Sequence, residues 1–392
     1  MPVRAHWFLP TNGDSHTDLS LGNAVGAHGA RIDDAVTNAR KGDLAYMSQV
    51  ARAAEAMGFE AALTPTSSWC EEAWVITAAL TQHTRDFKYL VAFRPGLQSP
   101  TLAAQAAATY QRVSGDRLLL NVVVGGDQIE QHRYGDTVGK DSRYARADEF
   151  LAIVRELWSG EEVDFSGEWY EISRARLLDP PTWPTVYLGG SSAAALAVAA
   201  RRADVFLTWG EPPDAVAAKL DAVREAGDRE GRELGFGIRL HVITRDTAEE
   251  AWAVADRMLH GLADEQIAKA QSIQRVSESE GQRRMTELHG GRTDRLEVAP
   301  NLWAGIGLVR GGAGTALVGS HEEVADRIAE YHDLGIDEFI LSGYPHLEEA
   351  YRVGEGLLPV LRRRGLLAPR DSADGEPGQD VPAGGRTSTG WS

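Results

Sequence analysis

The sequence predicts an α/β fold, a (β/α)8 TIM barrel with insertions, from three observations. Strand and helix signals alternate from end to end of the chain, and the strand signals number eight. The fourth strand segment, LLLNVVVG at 118–125, is nearly all apolar, as expected of a parallel strand covered on both faces. The first strand is followed by LPTNGD and not by G-x-G-x-x-G, so a doubly wound open sheet is the less favoured alternative.

The elements are predicted in order from apolar runs, helical periodicity and end signals. Ser99-Pro100 supplies an N-cap and a first-turn proline, and Thr247 and Ser320 each begin a capping box. Strands are predicted over 4–10, 60–65, 88–95, 118–125, 185–189, 204–209, 234–244 and 338–342. Helices are predicted over 42–57, 71–84, 99–113, 142–158, 191–203 and 348–364, and after 212, 247 and 320.

Three segments fall outside this alternation. Residues 159–183 are predicted to be irregular, and residues 263–299 to form a polar, helical insertion that leads into a glycine-rich loop. The C-terminal stretch is rich in Pro, Gly, Ser and Asp, which is typical of disorder. We therefore expect one barrel domain over 1–366, with an insertion over 263–319, and a disordered tail over 367–392.

The amino-acid composition of the chain argues against several classes of binding partner and site. The net charge of −17 makes nucleic acids and anionic membranes poor partners, and no apolar run reaches the ~18 residues of a spanning helix. The single cysteine, Cys70, excludes an intramolecular disulfide, and no His, Asp and Glu cluster has metal-ligand spacing. The N-terminus lacks the apolar core of a signal peptide, so a cytoplasmic protein is expected.

The glycine-rich stretch PNLWAGIGLVRGGAGTALVGS at 300–320 carries six glycines and one charged side chain, Arg310. So many glycines argue against a regular element, yet Leu302, Trp303 and Ile306 are residues that favour burial. A loop of this kind can be mobile when the site is empty and can deliver Arg310 to a buried anion when it closes. The alternative is a tightly packed surface loop whose arginine forms a salt bridge.

Polar groups collect at the predicted carboxyl ends of the strands, where barrel enzymes place their chemistry. Gly190-Ser191-Ser192 leads from a strand into a helix, and bare amides and hydroxyls at a helix N-terminus can bind a phosphate. An ordinary N-cap with a tight turn is the alternative. Asn121, with the glycines after it, could face a flat ring or could simply end a strand. Arg94 lies at the end of the third strand.

Arg239 and His241 are two residues apart in a strand, so their side chains point to the same face. The intervening residues of FGIRLHVI are apolar, which favours the barrel interior for Arg239 and His241. There they would need an anion or an acidic partner, and the histidine would suit proton transfer. Alternatively, both face the outer helices beside carboxylates. Cys70, at a helix start, is more often a buried structural cysteine than a nucleophile.

Five motifs resemble the FMNH2-dependent alkanesulfonate monooxygenases of the bacterial luciferase-like flavin monooxygenases. The resemblance runs from the first strand to Leu366, without residues 17–40 and the tail. The motifs are WFLPT at 7–11, CEEAW at 70–74, FGIRLHVI at 236–243, NLWAGIGLVRGGAGTALVG at 301–319 and LSGYPHLEEAYRVGE at 341–355. The resemblance implies a two-component system. A separate NAD(P)H-dependent FMN reductase would supply reduced FMN, a flavin peroxide formed with O2 would attack the sulfonate, and sulfite and an aldehyde would result.

The resemblance also implies roles for individual residues. Arg239 and Arg310 would hold the sulfonate, His241 would act in proton transfer or peroxide stabilisation, and Tyr344 would donate a hydrogen bond. Cys70 and Trp209 would lie beside the substrate. Cofactor contacts would come from Arg94, Asn121, Lys140, Tyr144, Gly190, Ser191 and Ser192, with Lys140 where relatives often have a histidine. The family also implies a homotetramer or a homodimer.

Two departures from the family pattern bear on substrate range. Asn12 replaces the histidine of the usual WFLPTHGDGH, and residues 18–40 are longer than usual and lack an expected acidic residue. Methanesulfonate, longer alkanesulfonates or another organosulfur compound are possible substrates. Other readings are a sulfone or alkane monooxygenase, a deazaflavin-dependent dehydrogenase or a non-catalytic flavin-binding protein. The joint presence of Arg239, His241, Arg310 and Tyr344 argues against the last.

Overall fold

The computed structural model describes residues 1–15, 39–125 and 128–368, and its eight main strands form a closed parallel barrel. Each strand pairs with its neighbours in the sequence, and the last strand pairs with the first. The predicted barrel is therefore confirmed. The strands are β1 Arg4–Phe8, β2 Ala61–Thr64, β3 Lys88–Phe93, β4 Leu118–Val122, β5 Val186–Gly189, β6 Val205–Trp209, β7 Gly235–Arg245 and β8 Glu338–Ser342.

Helices pack around the barrel and cover the outward side chains of its strands. The predicted N-caps are present: the hydroxyls of Ser99, Thr247 and Ser320 accept backbone N–H bonds from the first turns of their helices. The helices are Leu44–Met57, Ala73–Leu80, Pro100–Ser114, Gln128–Arg133, Lys140–Leu157, Ala193–Arg202, Pro213–Arg229, Ala248–His260, Asp264–Gln274, Glu280–His289, His321–Asp333, His346–Arg352 and Leu358–Arg363.

Strand β7 is the longest strand of the barrel, with 11 residues, and it extends beyond the barrel wall. Its first half pairs with β6 and β8. Its last five residues, from His241 onward, pair with the strand Ala316–Ser320. This pairing fixes the end of the glycine-rich stretch, a short distance after Arg310, beside His241.

The prediction that residues 159–183 are irregular is wrong. They contain an antiparallel hairpin of Val163–Ser166 and Glu171–Ala175. The carboxylate of Glu149, on a barrel helix, accepts the N–H groups of Glu168 and Trp169 in the hairpin turn. Because this anchor comes from another element, the local sequence pattern does not reveal it.

The prediction that the glycine-rich stretch lacks regular elements is wrong for most of it. Leu302–Trp303 pairs with Ala316–Ser320, and Gly305–Leu308 is a 3-10 helix. A Cβ at Gly305 would collide with the Trp303 ring, so this glycine allows close packing. The segment 309–315, which carries Arg310, is irregular as predicted.

The last predicted helix is not continuous. It begins earlier, at His346, and a π-helix over Val353–Leu357 divides it into two α-helices. A Cβ at Gly354 in this π-turn would collide with Met57, so the last helix packs unusually close to the first.

Some sequence predictions fall on parts of the chain that the structure does not describe. Most of the unusual segment 17–40 and nearly all of the predicted disordered tail lie outside the described residues. The domain boundary at 366 stays a prediction. Within the described ranges, no helix combines the length and apolar character needed to cross a membrane.

Candidate active site

A cavity of about 280 Å³ opens at the carboxyl ends of the barrel strands. Its volume is many times the roughly 30 Å³ that one water molecule occupies in the liquid, so it suits an organic ligand. Nine of the predicted site residues line it: Arg94, Asn121, Lys140, Tyr144, Gly190, Ser191, Ser192, Trp209 and Arg239. These predicted residues therefore line more than one side of the same cavity.

One end of the cavity has the geometry of an anion cradle. Ser192 is the N-cap of the helix Ala193–Arg202, and its hydroxyl accepts the N–H of Ala195. A Cβ at Gly190 would lie 2.5 Å from the Cβ of Ala195 and 3.1 Å from the Tyr144 hydroxyl, so a side chain would fill the cradle. Burial raises the pKa of Tyr144, which keeps its phenol protonated as a donor. Lys140 adds a cation at the rim.

The opposite wall of the cavity carries a buried ion pair. Arg94 lies 3.7 Å from the carboxylate of Glu130, and the same carboxylate accepts the N–H of Ser68 at 2.7 Å. Asn121, on β4, is buried and also lines the cavity. Sequence reasoning missed Glu130, because it lies on a six-residue helix with no distinctive spacing.

A second group of predicted residues is buried next to this cavity. Arg239, His241, Arg310 and Tyr344 are each at most 8% exposed. The guanidinium carbon of Arg310 lies 4.6 Å from the centre of the Tyr344 ring, and the rings of Tyr344 and His241 lie 5.3 Å apart. Of these four residues, Arg239 alone also lines the cavity. The structure therefore places these four residues close together, and their roles in the site stay a prediction.

Arg239 is a buried cation. Its guanidinium donates to the Ser342 hydroxyl at 2.9 Å and to the Leu240 carbonyl at 2.7 Å, and it lies over the Phe8 ring at 4.6 Å. Burial, together with the nearby charge of Arg310, lowers the pKa of Arg239 to about 10, so it remains charged at neutral pH. No carboxylate in the described part of the chain pairs with it. Such a group favours an anionic ligand.

Both ring nitrogens of His241 are engaged. Nε2 lies 2.9 Å from the Ala313 carbonyl, which can only accept, so Nε2 carries the proton. Nδ1 then accepts from the Ser342 hydroxyl at 2.7 Å. Burial and the two arginines hold the pKa of His241 well below its usual value, so the ring is neutral.

Asp14 and His346 are functional candidates that sequence reasoning did not single out. Asp14 Oδ2 accepts the backbone N–H of His346 at 2.6 Å and the Tyr46 hydroxyl at 2.8 Å, and lies 3.1 Å from Nδ1 of His346. Burial opposes ionisation of Asp14, but His346 and Tyr46 together lower its pKa to about 2. The two residues lie 332 positions apart, so sequence spacing carried no signal.

The two remaining substrate candidates differ in position. Trp209 lines the cavity, and a Cβ at Gly281 would lie 3.1 Å from its ring, so the insertion packs onto it. Cys70 is partly exposed and does not line the cavity. Burial raises its pKa to about 11, so the thiol stays protonated and is a poor nucleophile.

The insertion helices, Asp264–Gln274 and Glu280–His289, hold the backbone around Arg310. The side chain of Gln274 donates to the carbonyls of Gly307 and Arg310 at 2.9 and 3.2 Å. The side-chain oxygen of Gln282 accepts the N–H of Gly312 at 2.8 Å. Each helix therefore supports one flank of the segment that carries Arg310.

The insertion is also fastened to the barrel. Arg284, on the second insertion helix, forms hydrogen bonds of 2.6 and 3.1 Å with the buried Glu211. Glu211 follows β6 and is also bound by Lys219 at 2.6 Å.

Among the described residues, no group of three or more His, Cys, Asp or Glu side chains is arranged to hold a metal ion.

Comparison with known proteins gives one family and several similar structures. A family model described as luciferase-like monooxygenase matches residues 7–338. Riboflavin lyase (RcaE), solved with modified FMN and riboflavin, is 20% identical, with a TM-score of 0.75 over 94% of this chain and 93% of that chain. DmoA from Hyphomicrobium sulfonivorans is 18% identical, with a TM-score of 0.73 over 94% and 89%. EDTA monooxygenase (EmoA) from Chelativorans sp. BNC1 is 17% identical, with a TM-score of 0.70 over 94% and 95%.

Asp14→Asn should remove a pH-dependent part of the stability. The pKa of Asp14 is about 2 in the folded protein, against roughly 4 in an unfolded chain. The stabilisation by the carboxylate is therefore complete above about pH 4 and is lost as the pH falls toward 2, at ~1.4 kcal/mol per pH unit between these values.

Urea titrations at several pH values between about 5 and 3 measure this contribution. Wild type should lose unfolding free energy more steeply than Asp14→Asn below about pH 4. The exposed Asp256→Asn variant is the control and should follow wild type. If the unfolding free energies of wild type and Asp14→Asn change in parallel with pH, the low pKa assigned to Asp14 is contradicted.

Proposed function

The chain belongs to the luciferase-like monooxygenase family, and we propose that it is a flavin-dependent monooxygenase that releases sulfite from alkanesulfonates. The observation that carries the proposal is the buried cation Arg239, which borders the cavity and has no carboxylate partner among the described residues. A sulfonate is a permanent anion, and a planar guanidinium matches its oxygens with two parallel donors.

The anion cradle fits the phosphate of FMN. Gly190, Ser191 and Ser192 would bind it with backbone and hydroxyl donors at a helix N-terminus, and Lys140 and Tyr144 would add a cation and a phenol. Riboflavin lyase, a protein of the same fold, was solved with a modified FMN, which supports this choice of cofactor. When bound, reduced FMN would supply the electrons that activate O2.

The overall reaction would be R–CH2–SO3⁻ + O2 + FMNH2 → R–CHO + HSO3⁻ + FMN + H2O. Arg239 and Arg310 would hold the sulfonate, and the Tyr344 phenol, whose pKa is raised by burial, would donate a hydrogen bond beside them. The Arg310 segment and the insertion would exclude water. A separate NAD(P)H-dependent reductase would supply the reduced flavin, and we propose a homo-oligomer, a tetramer or a dimer.

The cradle predicts a preference for FMN over riboflavin. Gly190→Ala should reduce this preference, because the added Cβ would collide with Ala195 and displace the donors. Hydrogen bonds to charged groups contribute about 1.5–3 kcal/mol each, so the affinity ratio should fall by roughly 10- to 150-fold.

Anaerobic fluorescence titrations with reduced FMN and reduced riboflavin measure the ratio. Gly139→Ala is the matched control, since a Cβ there meets no atom within 4 Å. If Gly190→Ala binds both flavins as wild type does, the phosphate site lies elsewhere.

The anion site predicts loss of sulfite release in Arg310→Ala. Removing one cation from a buried anion should cost about 2–5 kcal/mol, or roughly 30- to 4,000-fold in kcat/KM. Arg310→Lys should recover part of the loss, because lysine keeps the charge without the planar fork.

Sulfite would be measured with FMN, NADH and an unrelated flavin reductase, over a series of alkanesulfonates of increasing length. Arg283→Ala, on the exposed face of the insertion, is the control and should match wild type. Wild-type protein that binds reduced FMN but releases no sulfite from any sulfonate would overturn the proposed function.

A further inference from the structure

We propose that His346, held by Asp14, accepts the proton that the substrate carbon loses, and that His241 does not. This assignment rests on the proposed function. Conversion of R–CH2–SO3⁻ to R–CHO and sulfite breaks one C–H bond and the C–S bond of the same carbon. O2 takes four electrons, two from reduced flavin and two from the sulfonate. The C–H hydrogen leaves as a proton, so a base must face that carbon.

His241 is poorly placed for this step. Its Nε2 proton is donated to the Ala313 carbonyl, and its Nδ1 lone pair accepts from the Ser342 hydroxyl. Ser342 in turn accepts from Arg239 at 2.9 Å, so the hydroxyl has a fixed orientation. No lone pair of His241 is left for a substrate proton, and the ring serves instead to position Ser342 and Arg239.

His346, unlike His241, has a ring nitrogen that could accept a substrate proton. It is 1% exposed, and its Nε2 has no hydrogen-bond partner in the described ranges. Its ring lies 4.8 Å from the Tyr344 ring and 5.7 Å from the Phe8 ring. Arg310 lies over the first of these rings and Arg239 over the second. His346 therefore lies between the rings of Tyr344 and Phe8, and each of these rings contacts one of the two arginines proposed to bind the sulfonate.

Substrate access to His346 requires the Arg310 segment to move. Neither Arg310 nor His346 lines the cavity, whereas Arg239 does. A sulfonate that enters along Arg239 must draw Arg310 away from the face of Tyr344. The vacated space would lie against the Tyr344 ring, which is 4.8 Å from the His346 ring, so the carbon next to the sulfonate would approach Nε2.

Asp14 is a positioning residue for His346. Its carboxylate lies 3.1 Å from Nδ1 and also binds the backbone N–H of His346. Neither ring nitrogen of His346 makes a hydrogen bond in the described ranges, but the ionised carboxylate 3.1 Å from Nδ1 favours the proton on that nitrogen and leaves the Nε2 lone pair for a substrate. The charged or titratable groups around His346 in the described ranges include Asp14, Tyr344, His241, Arg239 and Arg310. Burial and the two arginines lower the pKa of His346, so it is neutral at pH 7.

The first test compares His346→Gln with His241→Gln on an alkanesulfonate carrying two deuterium atoms next to sulfur. His346→Gln should slow sulfite release about 10²–10⁴-fold, the usual contribution of a general base. Because C–H cleavage becomes rate-limiting, its deuterium isotope effect should rise above that of wild type. His241→Gln should raise KM through a displaced Arg239 and leave the isotope effect unchanged. A raised isotope effect in His241→Gln but not in His346→Gln would overturn the assignment.

The second test does not depend on turnover. In protein labelled with ¹⁵N-histidine, NMR should show His346 protonated at Nδ1 and unprotonated at Nε2, with the signal assigned by its loss in His346→Gln. Asp14→Asn should shift this tautomer and slow sulfite release at least ~10-fold, while reduced FMN binds as in wild type. Wild-type His346 protonated at Nε2 would overturn the assignment. Wild type that releases no sulfite would overturn the proposed function, whereas wild type that releases sulfite while His346 is protonated at Nε2 would overturn this assignment alone.

Discussion

A guanidinium group buried in the barrel interior is the constraint on which the rest of the site depends. Arg239 lies over the Phe8 ring and donates to Ser342 and Leu240, and it keeps its charge at neutral pH because burial lowers its pKa only to about 10. These contacts orient the group but do not neutralise it. An anion entering from the cavity would supply the missing charge. Ser342, His241 and Arg310 surround this group.

The segment that carries the second cation, Arg310, is held by the strand next to β7 and by the insertion helices. The strand Ala316–Ser320 extends the sheet beyond β7, and Gln274 and Gln282 hold the backbone on either side of Arg310. The Glu211–Arg284 bridge fastens the same insertion to the end of β6. Because these contacts join the insertion to the segment that carries Arg310, a movement of the insertion would move Arg310 with it.

Prediction from sequence was most successful for features that depend on the repeat pattern of apolar and polar residues within one strand or helix. Alternation along FGIRLHVI placed Arg239 and His241 on the inner face of β7, and the order of strands and helices gave the barrel. It was less successful where two distant segments meet. The Asp14–His346 contact spans 332 positions, and the hairpin after residue 159 depends on Glu149 from another helix. The glycine-rich stretch was misjudged because its glycines allow close packing, at Gly305 against Trp303, as well as irregular backbone.

Recognition of an anion by the two arginines is the central claim, and equilibrium binding tests it without turnover. A long-chain alkanesulfonate and the methyl sulfone of the same chain length would be titrated anaerobically into protein loaded with reduced FMN. The two ligands share their apolar contacts and differ in charge. The sulfonate should bind at least ~30-fold more tightly, since unpairing a buried charge costs about 2 kcal/mol or more. Equal affinity for the neutral sulfone would show that charge does not decide binding and would contradict the account.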